Sequence, residues 1–240
     1  SVSPQYEAEE KITVNGNVDL YAVVFNRTTE TDLTEDQLPQ VDIYKYKQVI
    51  FVGDSRTEFM ENVLTGMGES ATKNVKFVCS AGKGLDWFTT TGWAQLYSIV
   101  QHDSNSILSK KTAVIFNFGV NDLSKSADYA EYYNWIAPQL KSKGCELYFM
   151  SVNPVNRLML PNAGRADRSE AAVRSFNQYM KANLSSAYTY IDMYSYLKST
   201  GYSFASDHYG TGTVDDGLHY TTRTYKRIFA KCMDSLRVPA

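Results

Sequence analysis

Three short segments carry side chains able to do nucleophilic chemistry. The first is Gly53-Asp54-Ser55, which closes the apolar run Ile50-Phe51-Val52 and opens a helical stretch. The second is Gly119-Val120-Asn121-Asp122, after the apolar run Thr112 to Phe118, and the third is Asp216-Gly217-Leu218-His219, which leads into a helical pattern near the C-terminus. A serine hydroxyl is a poor nucleophile at neutral pH and needs a base within hydrogen-bond reach. His219 supplies an imidazole, and Asp216, three residues earlier, a carboxylate able to hold the ring and stabilise its charged form. Asn121 offers an amide donor for a developing oxyanion. Each segment alone has a plainer reading: Asp and Ser cap helices, Asn favours turns, and a histidine ahead of a helix is often structural. The ordered set is far more specific than any one of its parts.

In this order, with the loop Ser80-Ala81-Gly82-Lys83-Gly84 between the first two, the segments resemble the SGNH hydrolases, also called the GDSL esterase/lipase family. The resemblance spans about residues 47 to 238. It implies Ser55 as nucleophile, His219 as base and Asp216 as its orienting partner, with Asp215 as a rival that the family's three-residue offset sets aside. It also implies an oxyanion hole made by the backbone N–H of Ser55, the backbone N–H of Gly82 and the amide of Asn121. A glycine suits position 82, because a backbone donor facing a ligand benefits from having no Cβ in the way. Neither a metal nor an organic cofactor is required. Asp54 and Asp122 read as supports, one capping the helix and the other bracing its own loop. Two positions depart from the pattern: Arg56 replaces the usual leucine, and Ser80 stands where an asparagine often precedes the glycine loop. Arg56 lies in the first turn of a helix, where a cation opposes the dipole, so its side chain is expected to reach solvent.

Five mostly continuous apolar runs must position these groups: Gln48 to Val52, Val75 to Cys79, Thr112 to Phe118, Cys145 to Val152 and Tyr188 to Met193. Continuous runs suit strands covered on both faces, as in a parallel sheet. Helical spacing recurs in Tyr129, Tyr132, Tyr133, Ile136 and Leu140, in Val173, Phe176, Met180 and Leu184, and in Tyr225, Ile228, Cys232 and Leu236. Alternating strands and helices predict a three-layer α/β/α domain. The family resemblance adds the flavodoxin-like order 2-1-3-4-5 for a five-stranded parallel sheet, with Ser55 and Asn121 at the switch point after strands 1 and 3.

Residues 1–46 read differently, as an N-terminal β-hairpin followed by an acidic linker, ahead of a catalytic domain over 47–240. Ile12 to Val24 has two strand-like halves around Asn15-Gly16. The phrase also resembles the end of the β repeats of internalin-type bacterial surface proteins. That resemblance, with the glycan-esterase analogy, leads to the expectation of a secreted or cell-surface bacterial protein. The net charge of −2, without a basic run, argues against a nucleic-acid binder, and no apolar stretch approaches the length of a membrane span. Three cysteines at non-metal spacing read as buried structural thiols.

Substrate contacts are expected on the same sheet edge, from Trp87, Asn153, His208 and Tyr209. Mixed aromatic and polar side chains suit a sugar ring better than a long acyl chain. The expected activity is a serine esterase acting on small acyl esters, O-acetyl groups on a carbohydrate above all. The alternatives are a lysophospholipase or thioesterase, and a non-catalytic glycan-binding module that kept the fold.

Overall fold

The computed structural model describes residues 33–42, 45–104, 110–157, 159–160, 168–206 and 215–236. The N-terminal hairpin, His208 and Tyr209 lie outside the described residues. Strands β1 (Tyr46–Gly53), β2 (Val75–Cys79), β3 (Lys111–Asn117), β4 (Cys145–Met150) and β5 (Tyr188–Ile191) form one parallel sheet in the order β2-β1-β3-β4-β5. Fold class and strand order are therefore as the sequence and the family resemblance led us to expect.

Alternation along the strands divides the core in two. Ile50, Val52, Val114, Phe116, Leu147 and Phe149 face one side, against α2 (Leu85–Trp87), α3 (Trp93–Ser104), α4 (Ser126–Ser142) and α5 (Glu170–Asn183). Val49, Phe51, Ala113, Ile115, Tyr148 and Met150 face the other, against α1 (Ser55–Met67), α6 (Met193–Thr200) and α7 (Thr222–Ser235). Burial on both faces is what makes the strands read as unbroken apolar runs. Pro138 lies inside α4, which continues through it to Ser142. Leu38 and Val41, from the acidic stretch ahead of β1, are buried in the second cluster. The packed core thus reaches upstream of the sequence boundary at residue 46.

Two features went unread in the sequence. Between α2 and α3 runs a π turn, Phe88–Gly92, whose Thr89-Thr90-Thr91-Gly92 is weak helix-forming sequence. A separate two-stranded antiparallel ribbon pairs β6 (Phe204–Ser206) with β7 (Asp215–Tyr220). His219 therefore sits on a strand, and α7 begins three residues later at Thr222. Among the described residues no helix is long and apolar enough to cross a membrane.

Candidate functional site

The chain runs from β1 to β2 on one side and then crosses to β3 on the other, which opens a crevice at the C-terminal ends of β1 and β3. Gly53, the last residue of β1, is in register with Cys79 on β2 and Asn117 on β3. The loops after all three strands emerge there together.

Ser55 is the first residue of α1. Asp54 caps that helix, its Oδ1 accepting the Arg56 N–H at 3.0 Å while its carbonyl accepts from Thr57 and Glu58. The N–H of Ser55 belongs to the opening turn, where backbone donors have no partner within the helix. Burial raises the Asp54 carboxyl to about 6, in spite of the Arg56 guanidinium beside it. A carboxyl with a higher pKa folded than unfolded binds its proton more tightly in the fold. Its ionisation therefore weakens the fold as pH rises from about 4 to about 6. Asp54→Asn keeps an oxygen for the cap and removes the charge. Its stability relative to wild type should rise across that window by about 2–3 kcal/mol, the linkage value of a two-unit shift. Unfolding midpoints at pH 4, 5, 6 and 7 check this, and a constant difference would show that Asp54 is not the source.

Asp216 and His219 lie in a bulge. Ser206 pairs with Asp215 and Phe204 with Tyr220, so Asp216, Gly217, Leu218 and His219 stand opposite the single residue Ala205. A bulge of this kind re-aims side chains that a regular ladder would alternate across two faces. One oxygen of Asp216 accepts the backbone N–H groups of Leu218 (2.8 Å) and His219 (2.7 Å), and the other meets His219 Nδ1 at 2.6 Å. His219 Nε2 lies 2.9 Å from Ser55 Oγ. All three residues are buried. Burial pushes the Asp216 carboxyl up, but the hydrogen bond and charge of His219, with the two backbone donors, outweigh it and hold the group below the usual carboxylate range. An ionised Asp216 draws the ring proton to Nδ1 and leaves Nε2 to accept from the serine. Phe59, one turn after Ser55 on α1, packs its ring on the imidazole edge with centroids 4.5 Å apart.

The glycine loop is fastened from both sides. Ser80 N–H donates to Gly53 O (3.3 Å), Ala81 N–H to Glu58 Oε2 (2.6 Å) and Leu85 N–H to Asp122 Oδ2 (2.9 Å). Gly82 has φ +69°, a left-handed conformation that glycine adopts without strain. A Cβ at Gly84 would sit 2.3 Å from the Asp122 carboxylate, so glycine is what allows that contact. Asp122 also accepts from Tyr129 Oη at 2.7 Å. It therefore braces the neighbouring glycine loop against α4, where its own loop was expected. Asn121 reaches the same loop, with Nδ2 donating to Lys83 O at 2.8 Å, and its Oδ1 accepts from Arg168 Nη2 at 2.8 Å.

Arg56 overturns the solvent expectation. It is 3% exposed, and its guanidinium donates to Leu218 O (2.9 Å), Asn153 O (2.8 Å) and Pro154 O (2.9 Å), with its centre 5.2 Å from the Tyr220 ring. Carbonyls from β7 and from the loop after β4 converge on it, and together they offset the helix dipole. Asn153 is buried beside it through its backbone, and among the described residues its side-chain oxygen has no hydrogen-bond partner. Trp87 is partly buried, its ring 6.1 Å from Phe118. None of the three cysteines forms a disulfide: Cys145 and Cys232 are buried and Cys79 half-buried, and burial raises the thiols of Cys79 and Cys232. Arg56, Phe59, Glu58 and Arg168 were not read as site residues. Only Phe59 left a signal, its i+4 spacing from Ser55.

Comparison with known proteins gives the GDSL-like lipase/acylhydrolase model a match over residues 49–232. No curated protein sequence matches the chain. Among solved structures, a Slackia heliotrinireducens protein assigned to the SGNH hydrolases superposes with a TM-score of 0.52 at 12% identity, over 80% of this chain and 100% of that one. A Bacteroides fragilis protein assigned as an acylhydrolase gives 0.51 at 16% identity, over 84% and 93%. The acetyl xylan esterase AlAXEase gives 0.50 at 12% identity, over 80% and 100%. At these identities the likeness is one of fold.

Proposed function

Because the chain belongs to the GDSL-like lipase/acylhydrolase family and is a serine esterase, we propose that Ser55, His219 and Asp216 are its catalytic triad and that it removes small acyl groups, O-acetyl on a carbohydrate in particular. The observation that carries this reading is the unbroken chain from Ser55 Oγ through His219 Nε2 (2.9 Å) and Nδ1 to Asp216 (2.6 Å). Ser55 Oγ attacks the ester carbonyl as His219 takes its proton. The N–H groups of Ser55 and Gly82 and the Asn121 amide hold the resulting oxyanion. Collapse of the intermediate expels the alcohol, which leaves with the proton from His219, and an acyl group remains on Ser55. Water, deprotonated by His219, then releases the carboxylic acid and restores the serine. No step calls for a metal or an organic cofactor.

The substrate reading has narrower support. One neighbour in fold is an acetyl xylan esterase, and Trp87, three residues after the glycine loop, is a partly buried aromatic residue of the type that sugars stack on. Asn153, His208 and Tyr209 complete the proposed set of substrate contacts. A secreted or cell-surface setting belongs to the same reading. An acyl-chain series of p-nitrophenyl esters tests it. A kcat/KM that falls by about tenfold or more from acetyl to butyryl, the range two methylenes can supply, is the expected outcome. A rise toward octanoyl would replace it with a lysophospholipase or thioesterase.

A further inference from the structure

Resting on the oxyanion-hole reading above, we infer that Arg168 is a positioning residue that fixes which way the Asn121 amide faces. An asparagine amide has an accepting and a donating end of nearly the same shape, and only the donating end stabilises an oxyanion. Lys83 O can only accept, and the Arg168 guanidinium can only donate. Asn121 stands between them, with Nδ2 on Lys83 O and Oδ1 on Arg168 Nη2, each at 2.8 Å. A flip of the amide would oppose carbonyl to carbonyl and N–H to guanidinium, losing both bonds. One orientation is left, and it spends one Nδ2 proton on Lys83 and leaves the other for the substrate.

Arg168 is itself held. Its Nε donates to Val120 O at 2.6 Å, so the planar fork grips the backbone and the side chain of consecutive residues. It immediately precedes Ser169, the N-cap of α5, whose Oγ accepts the Ala172 N–H. A positive charge on Oδ1 also polarises the amide and makes its remaining N–H a stronger donor. Arg168 thereby couples the loop after β4 to the oxyanion hole through Val120 and Asn121.

A double-mutant cycle in the full chain tests this, with kcat and KM measured on p-nitrophenyl acetate for Arg168→Ala, Asn121→Ala and the pair. Asn121→Ala should lower kcat by about 10²-fold, as loss of one oxyanion donor does. Arg168→Ala should lower it by about tenfold with KM within about twofold, since the interaction belongs to the transition state. In the Asn121→Ala background, Arg168→Ala should cost nothing further. Arg168→Lys, which can satisfy only one of the two acceptors, should lose less than the alanine variant. It carries the same cycle if Arg168→Ala fails to fold. Losses that multiply in the double variant, or an unchanged kcat in Arg168→Ala, would overturn the proposal while leaving the triad reading intact. Ser55→Ala, assayed alongside, separates the two: retained activity there would bring down the nucleophile assignment and this proposal with it.

Discussion

Replacing Ser55 by alanine is expected to lower kcat on p-nitrophenyl acetate by at least about 10⁴-fold while leaving the fold as stable as the wild type, because in the proposed triad the serine does chemistry that neither other group supplies. The structure explains why stability should be spared. Asp54 caps α1 through the Arg56 N–H and its own carbonyl, so the Ser55 hydroxyl has no part in starting the helix. Its partner there is His219 Nε2. Neutral imidazole remains anchored to Asp216 through Nδ1 when that partner goes. His219→Ala should cost about as much in kcat, and the two losses should not multiply, since residues acting as a unit fail together. Unlike Ser55→Ala, it should also lose stability, because a buried Asp216 would keep its two backbone donors and lose its imidazole. A fluorophosphonate probe should label the wild type at Ser55 and leave Ser55→Ala unmodified. Labelling elsewhere with activity retained in Ser55→Ala would place the nucleophile at another residue.

The sheet and the contacts joining Ser55, His219 and Asp216 were legible because both follow from strong, local constraints. Strands buried on two faces leave unbroken apolar runs, and Ile50 to Val52 or Val114 to Phe116 have no other economical reading. The spacing from Asp216 to His219 carries over directly into a contact between their side chains. What escaped reading depends on contacts between loops. The bulge in β7 is a mismatch between two strands, one of which is three residues long, and neither shows a period. Leu85, Phe88, Gly92, Leu96 and Val100 form a buried stripe, yet Thr89-Thr90-Thr91-Gly92 interrupts it, so the helical signal breaks where the π turn lies. Arg168 sits at the end of a long loop whose sequence does not say which carbonyl it will meet.

Arg56 is the sharpest case, because a rule about charge at helix ends pointed it outward and three carbonyls draw it in. Arg56→Leu, which restores the residue usual in the family, should therefore weaken this protein. Leucine fills much of the volume but donates nothing, so the carbonyls of Leu218 and Asn153 lose this donor, and among the described residues Pro154 O keeps the Tyr220 hydroxyl. At about 1–3 kcal/mol for each buried group left unsatisfied, partly offset by relief of a buried cation, a net loss of about 3 kcal/mol is expected. For a chain of this length that lowers Tm by about 6–12 °C. Activity should fall as well, by about tenfold or more in kcat, since a 1 Å displacement at a reacting group is enough to cost that much. The reason is geometric: Leu218, whose carbonyl Arg56 holds, is the residue before His219, and Arg56 itself is the residue after Ser55. One guanidinium thus ties the helix that opens at Ser55 to the strand that carries His219. Arg56→Lys keeps the charge but cannot span three acceptors, so it should fall between wild type and Arg56→Leu in both Tm and kcat. Thermal melts and steady-state kinetics on the three proteins decide it. A leucine variant with wild-type Tm and kcat would mean that the loops after β4 and β7 hold their positions without the clamp.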